Sequence, residues 1–127
     1  MSTNELKYTK DHEIVWLEDG DVAVLGITEY AQDALGDIVF VELPEVGASF
    51  SKGDDFAVVE SVKIAAEVYT PVSGEIVAAN DRLADEPEAI KISREEGWIA
   101  KVKISDASEL DELMDQAAYD AYLAELD

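Results

Sequence analysis

Residues 56–69 read FAVVESVKIAAEVY, and this stretch decides the fold. Two runs of β-forming residues, 56–59 and 65–69, flank the segment 60–64, so we predict two antiparallel strands joined by a hairpin. Hairpin turns usually carry Gly, Asn or Asp, whose backbones accept the required dihedral angles. Here Lys63 stands alone between two β-branched residues, a pattern typical of a surface that another protein recognises. An ordinary solubilising lysine on a hairpin is the alternative at this point.

Short strand-like segments continue on both sides of this hairpin. Before it we predict strands at 22–27 and 38–43, joined by a helix that Thr28 caps and Gly36 ends. The remaining predicted strands are a brief one around Phe50 and longer ones at 74–78 and 98–104. Many short strands at this spacing predict a mainly β fold, either an antiparallel sandwich or a small barrel.

The last segment has the pattern of a helix. Asp106 followed three residues later by Glu109 resembles a capping box. Apolar residues then recur at helical spacing: Leu110, Leu113, Met114, Ala117 and Ala121. We therefore predict a helix over about 106–125 that packs on the β structure, within a single domain of residues 1–127.

The charge balance excludes two classes of partner. Lys plus Arg is 9 and Asp plus Glu is 30, which gives a formal net charge of −21, and 48% of residues are hydrophobic, enough for a core. Nucleic acids and anionic membranes are bound through a surplus of basic residues that this chain lacks. The acidic surface favours basic patches on protein partners and disfavours self-association, so we expect a monomer. A salt-rich habitat would produce the same composition.

The residues that are missing restrict the chemistry. The chain has no cysteine, which excludes disulfides and thiolate catalysis, and its one histidine, His12, cannot build a multi-histidine metal site. Asp11 and Glu13 flank His12, but neighbours on an extended segment point to opposite faces, so no metal site is expected there. We find no nucleophile–base pair and no phosphate-binding loop, and expect no catalytic residues. The N-terminus has no apolar signal region, which predicts a cytoplasmic location.

The motif ESVK at 60–63, followed by YTPVSGE at 69–75, resembles the lipoyl-attachment region of the glycine cleavage system H protein family. The resemblance continues in the same order over most of the chain, at residues 6–13, 26–32, 35–44 and 108–111. Two departures stand out. Ile14 occupies a position where the family usually has Trp, with Trp16 two residues later, and residues 91–96 lack the Asn and the Pro-Tyr-Gly-like turn that usually precede the pair Gly97-Trp98.

The resemblance implies a fold, a cofactor and a set of partners. The fold is an antiparallel hybrid β-sandwich, or flattened barrel, of the lipoyl/biotinyl-carrier type. Lys63 would carry a covalent lipoyl group as N6-lipoyllysine, and Glu60, Ser61 and Val62 would be recognised by the lipoate-attaching enzyme. The arm would take the aminomethyl group of glycine from a pyridoxal-phosphate-dependent glycine decarboxylase to an aminomethyltransferase, and dihydrolipoyl dehydrogenase would then reoxidise it. The chain itself would not be an enzyme.

The resemblance also implies a resting place for the loaded arm. Glu13 and Glu67 match family positions that line a cleft, where they would pair with the amine of the cargo, and Tyr30 would border the same cleft. Solvated glutamates are the simple alternative in so acidic a chain. Trp16 and Trp98 are expected in the core or in a cleft wall.

The sequence also allows other functions for Lys63. The lipoyl domains of 2-oxoacid dehydrogenases and the biotin carriers also present a modified lysine, but usually within Asp-Lys-Ala or Met-Lys-Met. An H-like paralogue that relays lipoate, or an interaction module without lipoate, would keep the same fold. An independent hydrolase is disfavoured by the missing nucleophile–base pair.

Overall fold

The computed structural model describes residues 6–18, 20–91 and 94–126. The strands there are β1 (Lys7–Tyr8), β2 (Glu13–Glu18), β3 (Val22–Ile27), β4 (Ile38–Glu42), β5 (Ser49–Phe50), β6 (Asp55–Ser61), β7 (Ala65–Tyr69), β8 (Gly74–Ala79) and β9 (Ala100–Ile104). The α-helices are α1 (Glu29–Leu35), α2 (Arg82–Asp85), α3 (Arg94–Gly97) and α4 (Gln116–Leu126), and two 3₁₀-helices cover Pro87–Lys91 and Ala107–Glu112. None of these helices is long and apolar enough to cross a bilayer.

The strands form two antiparallel sheets that share one core. The larger sheet has the order β1-β2-β3-β9-β8-β5 and the smaller has the order β4-β6-β7. Side chains from both sheets meet in the core, for example Leu25 and Val102 from the larger sheet and Val41 and Val59 from the smaller. The predicted sandwich is therefore confirmed. The barrel alternative is wrong, because the sheets do not close on each other.

The central hairpin and the short helix form as the sequence predicts. In the hairpin, β6 pairs with β7, and Glu60 lies opposite Ala65 next to the turn. In α1, the hydroxyl of Thr28 accepts a hydrogen bond from the backbone N–H of Ala31 at 3.3 Å. Gly36 ends the helix with a φ of +79°, a conformation that favours glycine. Since α1 links β3 to β4, it connects the larger sheet to the smaller one.

The predicted helix over 106–125 is wrong as one continuous element. A 3₁₀-helix, Ala107–Glu112, comes first, and α4 begins only at Gln116, because Met114 forms an antiparallel bridge with Tyr8. Two backbone hydrogen bonds of 2.8 and 2.9 Å hold this bridge. Pairing with β1 requires an extended backbone, which interrupts the helix.

The predicted capping box and the predicted apolar stripe are also corrected. Asp106 does cap the first turn, through Ser108, but the carboxylate of Glu109 accepts hydrogen bonds from the backbone N–H and the hydroxyl of Ser73, at 2.6 and 2.8 Å. Ala117 and Ala121 are exposed, and α4 instead buries Tyr119.

Three local features near the chain ends differ from the sequence prediction. Strands β1 and β2 were not predicted, and β9 starts at Ala100, after Trp98. The segment around His12 is not extended as predicted, since His12 has a φ of +68° in the turn between β1 and β2. This turn sends the side chains of His12 and Glu13 into different surroundings.

Candidate functional site

Lys63 lies at the tip of the β6–β7 hairpin, where three consecutive side chains are exposed. Its neighbours Val62 and Ile64 are 66% and 56% exposed, although both are apolar. Of the described residues outside glycine, only His12 has a positive φ, so the turn does not need the backbone conformations that glycine supplies. The tip of the hairpin therefore exposes the amine of Lys63 between two apolar side chains.

Ser61 holds this turn in place of a glycine. Its backbone N–H donates to the carbonyl of Ile64 at 2.8 Å, and its hydroxyl oxygen accepts from the N–H groups of Lys63 and Ile64, both at 3.2 Å. The N–H of Val62 donates to the carbonyl of Asp37 at 3.1 Å, which ties the turn to the start of β4. Ser61 itself is buried, so its role is to set the conformation of the turn rather than to contact another protein directly.

The side chain of Lys63 folds back towards the end of α1. Its Nζ lies 3.4 Å from the carbonyl oxygen of Ala34, one of the last carbonyls of that helix. A cation is favourable there because the C-terminal end of a helix carries partial negative charge. The stem of Lys63 packs over Gly36, where a Cβ would lie at an ordinary contact distance of 3.6 Å from Cε of Lys63.

Glu13 is a buried acid rather than a solvated one. The residue is only 4% exposed, and its carboxylate accepts hydrogen bonds from the hydroxyl of Thr9 at 2.7 Å and from the backbone N–H of Tyr69 at 3.2 Å. Burial raises the pKa of Glu13 from 4.5 to about 7, although the two hydrogen bonds and the charge of Asp11 modify it. Near neutral pH the carboxyl is poised between its two protonation states.

Glu67 belongs to an acidic group around Tyr69. A side-chain hydrogen bond with Asp55 and the charge of Asp55 raise the pKa of Glu67. The pKa of the Tyr69 hydroxyl is raised first by Glu67, and then by its partial burial and by the charges of Asp55, Asp11 and Glu13. Four carboxyl groups therefore act on this one tyrosine, which makes the region attractive to a cation.

Two cavities adjoin these residues. The smaller one, about 260 Å³, is lined by Glu13, Tyr69, Thr70 and Lys52 among others. The larger one, about 670 Å³, has a wall of aromatic side chains: Tyr8, Trp16, Tyr30, Trp98 and Tyr119. Trp16 and Trp98 are thus cleft-wall residues, one of the two positions expected from the sequence.

The structure brings Glu13 and Glu67 to the same tyrosine but places Tyr30 elsewhere. Tyr30 packs against His12 with the two rings tilted and their centroids 4.3 Å apart, and it lines only the larger of the two cavities. The turn at His12 separates Tyr30 from Glu13, which the sequence did not indicate. Tyr69 and Thr9 were missed as partners of Glu13; the four-residue spacing of Thr9 and Glu13 is the only signal for either.

The described residues contain no group of three His, Asp or Glu side chains arranged to hold a metal ion. The ring of His12 has a different set of contacts. Its Nδ1 lies 2.9 Å from the hydroxyl of Tyr119, which donates to the hydroxyl of Thr28 at 2.9 Å. Burial lowers the pKa of His12, so the ring is neutral at pH 7 and serves to join α4 to the cap of α1.

Comparisons with known proteins agree on one family. The family model described as glycine cleavage H-protein matches residues 6–126. A glycine cleavage system H protein of Rhodospirillum rubrum is 54% identical over 125 residues, which cover 98% of this chain and 99% of that one. One from Phenylobacterium zucineum is 58% identical, covering 94% and 98%. The crystal structure of a glycine cleavage system H protein from Mycobacterium marinum superposes with a TM-score of 0.85 at 34% identity, covering 98% and 99%.

Proposed function

The chain belongs to the glycine cleavage H-protein family, and from that premise we propose that Lys63 is the residue that carries the lipoyl group. The supporting observation is the exposed side chain of Lys63 at the tip of a hairpin whose turn Ser61 organises.

The protein is a non-catalytic lipoyl carrier of the glycine cleavage system, in which the aminomethyl group of glycine passes between enzymes. Other components of that system are its partners. The lipoyl group, when attached, supplies the disulfide and dithiol chemistry that a chain without cysteine lacks. The residues of the chain contribute the placement of the arm.

The surroundings of Lys63 fit an acylated side chain. Acylation turns the ammonium into a neutral amide, so it removes the charge that holds Nζ near the carbonyl of Ala34. The contact of 3.4 Å is long, and it is made by an exposed side chain. Little is therefore lost when the side chain leaves the helix end and swings outwards.

Mass spectrometry after incubation with a lipoate ligase tests the attachment site. We expect the mass of one lipoyl amide, located on the peptide that contains Lys63, and no modification of Lys63→Arg. Lys103→Arg is the matched control, because Lys103 is also an exposed lysine next to a buried strand position. Modification at another lysine, or none in the folded protein, would contradict the proposal; the latter would favour an interaction module without lipoate.

We also propose that the arm rests along β7 when it is loaded. Ala65, Glu67 and Tyr69 alternate on the exposed face of β7, the strand that leads away from the turn of Lys63. The backbone of Tyr69 then leads to Glu13 through the 3.2 Å hydrogen bond. A cationic amine at this end of the strand would meet the acidic group around Tyr69, and it would favour the charged form of Glu13.

The lifetime of the aminomethyl-loaded protein tests this resting place. We expect Glu13→Gln and Glu67→Gln to lose the cargo faster than the wild type, and Glu75→Gln, an exposed glutamate on β8, to lose it at the wild-type rate. An unchanged lifetime would remove the substituted glutamate from the proposal. Tyr30 lines the other cavity, so its contact with the arm stays a prediction, which Tyr30→Ala tests in the same measurement.

The remaining expectations from the sequence are also proposals. The named partners are glycine decarboxylase, the aminomethyltransferase, dihydrolipoyl dehydrogenase and a lipoate-attaching enzyme that reads Glu60, Ser61 and Val62. The monomeric state, the single domain over residues 1–127 and the cytoplasmic location also stay predictions. Gel filtration of the protein mixed with each purified enzyme tests the partners one at a time.

A further inference from the structure

The larger of the two cavities lies on the outer face of the larger sheet. Val15 of β2 and Leu25 of β3 point into the core, so the alternate residues Ile14, Trp16 and Gly26 point away from it. These three residues line the floor of the cavity, and residues of α1 and α4 form its walls. Its volume of about 670 Å³ lies within the range that is usual for small-molecule sites.

The apolar cluster on this face of the sheet is incompletely filled. Tyr8, Ile14 and Tyr119 are buried in it. Gly26 contributes no side chain, and a Cβ at that position would lie 3.5 Å from Ile14 and 3.7 Å from Cα of Trp98, which are ordinary contact distances. Because protein interiors are close-packed, open space of this size beside a packed cluster indicates a site for a ligand.

The walls of the cavity are rich in aromatic rings. Aromatic faces bind apolar groups and, through the negative potential above the ring, cations. One of these rings already binds a cation, since Nζ of Lys101 lies 4.9 Å from the ring centroid of Trp98. The cavity therefore suits a ligand that has an apolar body and a positive charge. The aromatic residues that line it are Tyr8, Trp16, Tyr30, Trp98 and Tyr119.

The charges around the cavity favour a cation over an anion. Glu29 and Asp33 of α1 and Asp120 of α4 line it, and all three residues are exposed. Among the described residues of the lining, Lys91 is the only basic one. Three carboxylates against one ammonium, in a chain with a net charge of −21, disfavour nucleotides, phosphates and carboxylic acids as ligands.

Both departures from the family pattern lie at this cavity. Ile14 lines it, and so does Lys91, the first residue of the segment 91–96. The two positions are far apart in the sequence, and the fold brings them to one surface. The chain thus departs from the family pattern at the cavity, whereas the hairpin that carries Lys63 keeps that pattern.

We propose that the larger cavity binds a small organic cation, which consists of an ammonium group on an apolar or aromatic body. The body packs against Trp16 and Trp98, and the ammonium group meets the carboxylates of Asp33 and Asp120 at the edge of the cavity. This site goes beyond the carrier function, and it does not depend on the attachment of lipoate at Lys63.

Tryptophan fluorescence tests the site, because the chain has two tryptophans, Trp16 and Trp98, and both line the cavity. The probe is benzyltrimethylammonium, titrated at low salt into the full chain without lipoate. We expect a saturable change in fluorescence with a Kd of about 1 mM or less, and binding at least about tenfold weaker for benzyl alcohol and benzoate, which keep the ring but lack the positive charge. Equal binding of the three compounds, or no binding, would overturn the inference.

Variants that fill the cavity locate the binding. Gly26→Val and, separately, Ile14→Phe add side-chain volume to the floor and should weaken the binding of the probe at least about fivefold. Thermal melting confirms the fold of each variant. Wild-type affinity in both folded variants would contradict binding in this cavity.

Variants of the acidic edge test the charge and keep the side-chain volume. Asp33→Asn with Asp120→Asn should weaken the binding of the probe about threefold or more at low salt. Asp21→Asn with Asp85→Asn is the matched control, because it removes the same charge from exposed positions outside the cavity, and it should change the Kd less. Equal effects of the two pairs would show that only net charge matters and would overturn the inference.

Two other occupants of the cavity have their own signatures. If the aminomethyl-loaded protein fails to bind the probe while the protein without lipoate binds it, the cavity belongs to the arm of Lys63. If sedimentation shows a dimer that the probe dissociates, the cavity belongs to a second copy of the chain. Either result would overturn the inference. A chain that is not lipoylated at Lys63 but binds the probe as expected would refute the proposed function and leave the cation site standing.

Discussion

Replacing Glu13 by Gln should change how the stability of this protein depends on pH. Glu13 is buried at the start of β2, with the hydroxyl of Thr9 and the backbone N–H of Tyr69 at the end of β7 as its hydrogen-bond donors. Burial raises its pKa in the folded protein to about 7, from 4.5. Glutamine keeps the size of the side chain and an acceptor for one donor, but it removes the ionisation.

The sign and the size of the effect follow from the two pKa values. Between pH 4.5 and about 7 the folded protein holds a proton on Glu13 that the unfolded chain has released, so the free energy of unfolding falls as pH rises through this window. At about 1.4 kcal/mol per pH unit, the total loss is roughly 3 kcal/mol, complete above pH 7. The contribution of Glu13 to the free energy of unfolding is therefore fully present only below pH 4.5.

Urea denaturation of wild type and Glu13→Gln at steps from pH 4.5 to 8 checks this. The other acidic residues titrate in both proteins, so the difference between the two curves isolates Glu13: the variant should gain about 3 kcal/mol on the wild type across the window. Glu75→Gln, a change at an exposed glutamate, should run parallel to the wild type. Parallel curves for Glu13→Gln would refute the raised pKa and the burial on which it depends.

Four further substitutions test the backbone. Ser61→Ala removes the acceptor of two turn N–H groups and should lower the free energy of unfolding in urea by about 1 kcal/mol and slow lipoylation; full lipoylation at the wild-type rate would deny the turn its role. Gly36→Ala should cost about 1 kcal/mol through its φ of +79°, and Gly47→Ala, at +96° in open space, about the same; a much larger loss at Gly36 than at Gly47 would contradict the ordinary 3.6 Å contact between the new Cβ and Cε of Lys63. In Gly74→Ala the new Cβ would lie 2.1 Å from the backbone oxygen of Lys103, so we expect a loss of about 3 kcal/mol or more in thermal melting, and a wild-type Tm would contradict the packing.

The parts of the fold that follow from local chemistry could be predicted from the sequence. The helix α1 has its cap at Thr28 and its stop at Gly36, and both lie within the helix or next to it, so the pattern alone sets its bounds. The hairpin around Lys63 is also local, since its strands are joined by a short turn. The turn has none of the Gly, Asn or Asp residues that hairpin turns usually carry, and this indicates Lys63 as the candidate functional residue.

Features that depend on distant contacts could not be predicted. Met114 pairs with Tyr8, more than one hundred residues earlier, and this pairing breaks a segment with good helical periodicity. The burial of Glu13 depends on a backbone group of Tyr69, 56 residues away, and no local pattern separates a buried glutamate from the many solvated ones. The β-bulge at Val39 is likewise visible only in the pairing of β4 with β6.

The turn at Lys63 combines a backbone held by hydrogen bonds with a side chain that is free to move. Ser61 and the contact with Asp37 fix the backbone by hydrogen bonds, and no glycine loosens it. A mobile turn would lengthen the tether and lower the effective concentration of the arm at a docked enzyme, and it would add an entropy loss on docking. With the backbone fixed, the freedom of a lipoyl arm attached at Lys63, as we propose, would start at the side chain of this residue. A turn that positions an arm is therefore better built on a hydrogen-bonded serine than on the glycine that hairpin turns usually have.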